Sequence, residues 1–249
     1  MPQQRVRGKP CNMHWRDEGI LLAARAHGES SAIIEVFSAL HGKHAGVVRG
    51  GGSRKMAATL QPGGQLDLTW RARLEDQLGS FTVELTQARA GLVLGDRLAL
   101  AALSSVCALC RFALPERQPY PGLYSETLGL LDALARPGWL RIYAIWELQL
   151  LEETGFGLDL QQCAVTGARE GLAYVSPRTG RAVTQEGAGA YASRLLPLPA
   201  AVIDPGAEMD TSAMRDALRL SGHFLHQWLA EANGRALPEA RNRLITALD

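Results

Sequence analysis

Apolar and polar residues alternate with a period of two through the first third of the chain and change to a period near three and a half beyond it. Ile20, Leu22 and Ala24 alternate with Leu21, Ala23 and Arg25; Ile33, Ile34, Val36 and Phe37 form a second β-branched and aromatic run, and Ala45 to Val48 a third. Gln65 to Arg71 puts Leu66, Leu68 and Trp70 on one face, and Ser80 to Leu85 does the same with Phe81, Val83 and Leu85. Five short strands between Trp15 and about Leu85, with a Pro62-Gly63-Gly64 turn before the fourth, predict an OB-type barrel. From Gly95 the pattern is helical. Asp96 is placed to cap a helix carrying Leu98, Ala102, Val106, Leu109 and Phe112, which ends before Pro115. Leu123 to Leu134 and Trp139 to about Thr154 predict two more, the latter apolar around most of its circumference and therefore central. After a proline-bounded connector, LLPLPAAVID, Asp210 or Thr211 caps an amphipathic helix with Met214, Leu218, Ser221, Leu225 and Trp228; a terminal helix over Ala236 to Leu248 carries Arg241 and Arg243 opposite Leu244, Ile245 and Leu248. The fold class expected is α+β: a five-stranded OB-fold barrel over residues 13–90, then a helical bundle over 91–249 with an insertion at about 158–204.

Charge changes this picture in one place. The chain has 26 Lys and Arg against 25 Asp and Glu, a net charge of +1, so any polyanion site must come from segregated charge. Such segregation exists: no acidic residue occurs between Val36 and Leu66, a window that holds Lys43, Arg49, Arg54 and Lys55 around Gly50, Gly51 and Gly52. Three glycines leave the backbone free to bend, and a mobile cationic loop on a rigid β platform suits a string of phosphates. The competing reading, a solvated turn, does not explain why the acids are excluded. Residues 1–12, with Arg5, Arg7, Lys9 and no apolar pattern, read as a disordered basic tail, with Met13 as an alternative start. Four cysteines, unevenly placed, do not make a disulfide framework and suit a reducing cytoplasm. No apolar run is long enough for a membrane span or a signal core.

The run GESSAIIEVFSALHGK, followed by VVRGGGSRKM and then ATLQPGG, resembles the amino-terminal domain of the RecO recombination mediators through Gly28, Glu29, Ser30, Phe37, His41, Gly42, Lys43, Arg49, Gly50, Leu60, Gln61 and Pro62. The segment WELQLLEETGFGLDLQQCA extends the resemblance into the helical half. The resemblance implies a non-enzymatic protein that binds single- and double-stranded DNA, anneals complementary strands and works with RecR to replace single-stranded DNA-binding protein with RecA, in the cytoplasm at the nucleoid. Many relatives hold a structural zinc with two C-x-x-C pairs after this helix. Here only Cys163 stands at a ligand position, with Thr166, Thr184 and Gly187 at the others, so the expectation is a degenerate, metal-free zinc-ribbon-like insertion packed by Tyr174, Val175, Val183, Tyr191 and Leu195. The family also takes the acidic tail of single-stranded DNA-binding protein on its helical domain, for which Arg111 and Arg141 are the candidates; Ala144 and Ile145 stand where relatives carry the basic residue.

The candidate DNA-binding residues are Lys43, Arg49, Arg54 and Lys55, with Arg25, Arg71 and Arg73 as an extension beside Asp17, Glu18, Asp67, Glu75 and Asp76. Trp70 and Phe81 alternate in register with Leu66 and Val83, which favours core packing over base stacking. GGGSRKM lacks the ending of a phosphate-binding P-loop, so no nucleotide cofactor is expected. Cys107 and Cys110 sit among core types and read as packing residues; His41 and His44, or His223 and His226, lack a third ligand and read as polar or capping residues. No nucleophile motif occurs, and Glu152 and Glu153 close a helix in solvent, so no catalytic residue, cofactor or metal is assigned. The alternative function is a protein-binding adaptor whose barrel docks RecR with only weak DNA contact. A small-molecule enzyme in the helical half is disfavoured by the lack of a convergent polar cluster.

Overall fold

A computed structural model of the chain describes residues 13–74 and 76–248. The basic tail expected over 1–12, and Glu75, lie outside them. Five strands, β1 (Met13–His27), β2 (Ser31–Ser38), β3 (Gly42–Val48), β4 (Gln65–Ala72) and β5 (Ser80–Gln87), close into a barrel in the order β1-β2-β3-β5-β4, the order of an OB-fold. Closure depends on the length of β1. Its first half pairs with β4, from Met13 opposite Ala72 to Ile20 opposite Gln65, and its second half pairs with β2, from Gly19 opposite Ser38 to His27 opposite Ser31. The register shifts between Leu21 and Ala23, as at a bulge, and a bulge re-aims side chains. Leu21 enters the barrel, while Ile20 and Leu22 face the helical half. The barrel is filled by Leu21, Ile34, Val36, Leu66, Leu68, Trp70 and Phe81. Trp70 and Phe81 therefore pack rather than stack on bases, and the Trp70 indole donates to the Leu78 carbonyl at 3.1 Å.

A short helix, α1 (Arg54–Thr59), follows β3, and α2 (Arg89–Val93), α3 (Arg97–Ala113), α4 (Pro121–Ala133) and α5 (Trp139–Glu153) follow the barrel. The Asp96 carboxylate caps α3 by accepting from the Leu98 and Ala99 amides. The insertion is a three-stranded sheet in the order β7-β6-β8, from β6 (Leu172–Val175), β7 (Ala182–Thr184) and β8 (Leu196–Pro197), with α6 (Gln185–Ala188) and α7 (Ala200–Ile203). Val175 and Val183 are buried there, but Tyr191, expected to pack it, is 66% exposed. Asp210 caps α8 (Thr211–Phe224), which continues through a π-helical stretch, Leu225–Ala230, into α9 (Glu231–Asn233); α10 (Glu239–Ala247) ends the described chain.

The last helix corrects the reading of its charges. Arg241 is buried, not solvated beside Arg243: its guanidinium forks onto Glu147 of α5 at 2.9 and 2.8 Å and donates to the Leu218 carbonyl, while Ser221 and Tyr143 donate to the same carboxylate. A charge pays its desolvation cost only where partners of this kind surround it.

The two halves share a core. Phe37, from the outer face of β2, meets Tyr124 of α4 edge-on at 5.5 Å, and Ile20 and Leu22 join Leu103, Val106 and Cys107 of α3. The chain leaving α3 then laces back onto the barrel: the Arg117 amide donates to the Lys43 carbonyl, and Gly42, at φ +63°, lies so close that a Cβ there would sit 2.0 Å from the Gln118 oxygen. Only glycine fits both demands.

Candidate nucleic-acid interface

Arg49, Arg54 and Lys55 lie together on the turn and first helical residues after β3, exposed and without a side-chain hydrogen bond or ion pair among the described residues. The turn is held, contrary to the expectation of a freely bending loop. Gly50 takes φ +72°, the Gly52 amide donates to the Ser30 carbonyl at 3.1 Å, and a Cβ on buried Gly51 would meet Ala32 at 2.7 Å. Ser53 caps α1 by accepting from the Met56 amide, which sets Arg54 and Lys55 on its first turn. The glycines thus press the backbone onto the β1–β2 turn, and the cations project from a fixed edge of the barrel.

Lys43 belongs to a different group. It stands at the other end of β3, about 20 Å from Arg49 at the rise of a strand. Its ammonium donates to the Arg111 carbonyl at 2.8 Å, in a cleft of about 510 Å³ between the barrel and the helices. Arg25 from β1, Glu35 from β2, Arg111 from α3, Glu116 and Arg235 complete the charged lining. Arg111 forks onto Glu35 at 3.1 and 2.7 Å. Burial works to raise the Glu35 carboxyl, but Arg111, with Lys43 and Arg25 behind it, holds it below the usual carboxylate range. Burial lowers the Lys43 ammonium; Glu116 and Glu35 oppose that shift, and Arg235 and Arg111 add to it. Arg235 was not picked out from sequence, because nothing near it in the chain marks it; the path from α9 to α10 brings it over the Phe112 ring at 5.7 Å.

The other candidates are dispersed. Arg71 and Arg73 line a shallow hollow with His14 at the far end of β4, and the acidic neighbour Asp67 is taken by Arg16. Arg141 donates through Nε to the Ala201 carbonyl of α7 at 2.8 Å, well away from Arg111 in the fold. The histidines divide. His41 stacks on Trp15 at 4.0 Å and pairs with Asp17 at 3.2 Å, and His223 bonds the Pro177 carbonyl at 3.0 Å. His44, expected to be a polar or capping residue, is neither: it is 5% exposed, and neither ring nitrogen has a hydrogen-bond partner among the described residues. Cys107 and Cys110 are buried in α3, and burial pushes the Cys107 thiol up to about 12.

The insertion brings Cys163, Thr166, Thr184 and Gly187 to one point. The Cys163 sulfur accepts from the Thr184 amide at 3.3 Å and the Val165 and Thr166 amides at 3.4 Å, and lies 3.5 Å from the Thr184 hydroxyl; a Cβ on Gly187 would touch it at 3.1 Å. Burial pushes this thiol up, yet the donors from Thr166 and Thr184 outweigh it and bring it down to about 6. One sulfur, two hydroxyls and a glycine do not fit zinc, which asks for four nitrogen, sulfur or carboxylate ligands. The sulfur is instead supplied with donors by the Val165, Thr166 and Thr184 amides.

Residues 13–89 match the family model described as Recombination protein O N terminal, and residues 94–236 the one described as Recombination protein O C terminal. The chain is 60% identical over 237 residues to the DNA repair protein RecO of Cereibacter sphaeroides, covering 95% of this chain and 98% of that one. It is 56% identical over 238 residues to the DNA repair protein RecO of Dinoroseobacter shibae, with 95% and 98% covered. No helix among the described residues is long and apolar enough to cross a membrane.

Proposed function

The chain belongs to the RecO family of DNA repair proteins, and from that premise we propose that it is a recombination mediator that holds DNA at the β3–α1 edge of its barrel. It binds single- and double-stranded DNA there, anneals complementary strands, and with RecR helps RecA replace single-stranded DNA-binding protein. The observation that carries the reading is the exposure of Arg49, Arg54 and Lys55 on one fixed edge, free of carboxylate partners among the described residues. Annealing requires that the mutual repulsion of two phosphate backbones be neutralised while their base edges stay open. Exposed cations on a projecting turn meet that requirement without a base-reading pocket. No bond is made or broken in this work, so the protein acts without a catalytic residue.

For the tail of single-stranded DNA-binding protein, Arg141 is better placed than Arg111. Its terminal guanidinium nitrogens have no partner among the described residues, whereas Arg111 is already forked onto Glu35. The cytoplasm, at the nucleoid, is where such a protein works.

A salt titration of DNA binding tests the edge. The triple substitution Arg49→Ala, Arg54→Ala, Lys55→Ala is expected to weaken binding to all sequences alike and to flatten the logarithmic salt dependence on single strands by about 0.7 per lost phosphate contact. An unchanged slope removes the edge from the mechanism.

A further inference from the structure

The outward face of β3 leads from that edge to the cleft. Lys43, Ala45 and Val47 alternate along it, with Arg49 just past the end of the strand. Val47 is level with Ile33 on β2 and Arg25 on β1, and Ala45 is level with Glu35. Successive levels are about 7 Å apart. Ile33, Ala45 and Val47 make an aliphatic floor, and Glu35 is the one carboxylate those levels carry. A path about 20 Å long, cationic at both ends, suits the shorter strands in the range of about 4–16 nucleotides that a barrel of this type holds.

Charge lining the cleft is unbalanced. Among the described residues that line it, Arg25, Lys43, Arg111 and Arg235 stand against Glu35 and Glu116. Arg25 is exposed with no side-chain hydrogen bond or ion pair among the described residues, the Arg235 guanidinium lies over the Phe112 ring with no carboxylate partner among those residues, and the Lys43 ammonium is bonded to a carbonyl instead of a carboxylate. The Glu35–Arg111 fork has the planar two-point geometry by which guanidinium also takes a phosphate.

We propose that the cleft is a second phosphate-binding station for the single strand held at the β3–α1 edge, and that Glu35 is an internal stand-in for phosphate which the strand displaces from Arg111. This rests on the edge being the strand's entry. Displacement is open to the strand because the pair is partly exposed, Arg111 at 43% and Glu35 at 25%, so the carboxylate can turn to water while a phosphodiester takes its place among cations that outnumber their carboxylates in the cleft. Continuity of the floor favours a strand over an acidic peptide tail, whose charge is concentrated at one end. The station also gives Glu35 a role in release: the carboxylate competes for Arg111 whenever the strand withdraws.

The test is the fluorescence anisotropy of a labelled oligothymidylate titrated with salt, using the full chain. The double variant Arg25→Ala, Arg235→Ala, both exposed, is expected to bind at least 5-fold more weakly at low salt, with a slope flatter by about 1.4 for two lost contacts. Glu35→Gln is expected to bind several-fold more tightly with a steeper slope. Should the Gln variant melt early, Glu35→Asp, which shortens the reach to Arg111, is expected to show the same tightening. Wild-type affinity and slope in the double variant, while the edge triple variant is weakened, overturns the cleft and leaves the edge reading intact; the reverse pattern overturns the edge and with it the two-station path, leaving phosphate binding at the cleft alone. Unchanged or weaker binding in a folded Glu35 variant removes the stand-in. An acidic peptide whose binding is lost in the double variant, with oligothymidylate unaffected, reassigns the cleft to a protein tail and overturns the proposal.

Discussion

His44 shows how far one residue can depart from what its type suggests. It points into the barrel, where Trp15, Trp70 and Phe81 present their rings at 5.3, 4.8 and 6.0 Å and no hydrogen-bond partner among the described residues reaches either nitrogen. Burial, helped by Arg117 and His41, pushes its imidazole down to about 4. An unfolded histidine takes its proton near pH 6.5, so between that pH and about 4 protons favour the unfolded chain. The barrel is therefore expected to be fully stable above pH 6.5 and to lose stability as pH falls through that window. His44→Leu should remove that share of the loss in urea unfolding at pH 7 and pH 5; an equal loss in the variant would show that other groups cause it. The strand pattern marked His44 only as a position between Lys43 and Ala45. Which face it took depended on the register of β3 against β2.

At the scale of elements, the starts of helices could be read from single residues and their docking could not. Asp96 and Asp210 cap α3 and α8 because a short carboxylate reaches free amides two or three residues on, a purely local geometry. The place of α10 is set by Arg241, whose partners Glu147, Leu218 and Ser221 come from α5 and α8. Removing one partner of a buried pair strands the other, so Arg241→Ala is expected to cost about 3–5 kcal/mol. Arg241→Lys should recover little, since an ammonium cannot fork onto Glu147 and reach Leu218 together. Urea unfolding checks both, and a cost below about 1 kcal/mol would mean that Glu147 is solvated on loss of Arg241.

Across the whole molecule, the junction between barrel and helices decides which charges act together. Gly42 sits at that junction with positive φ against the Gln118 carbonyl, so Gly42→Ala must either move the segment after α3 or leave the left-handed region. It is expected to lower the melting temperature well beyond the ~1 kcal/mol of backbone strain alone. A wild-type melt would show that the lacing can shift freely. The same junction separates Lys43 from Arg49 and gives it Arg25, Arg111 and Arg235 as neighbours. One cationic window in the sequence becomes two cationic places in the fold, one open at the barrel edge and one half-enclosed.

Periodicity, caps and turn residues are local, and for that reason the five barrel strands and the longer helices α3, α4, α5, α8 and α10 could be read from the order of residues, whereas α1, in the stretch read as a freely bending loop, could not. Convergence is not local. Glu35 against Arg111, Arg241 on Glu147 and Leu218, Arg235 over the Phe112 ring and the Thr184 amide on the Cys163 sulfur arise only when register and helix packing bring distant segments within a few ångströms. Charges interact through space, and spacing along a chain does not report it.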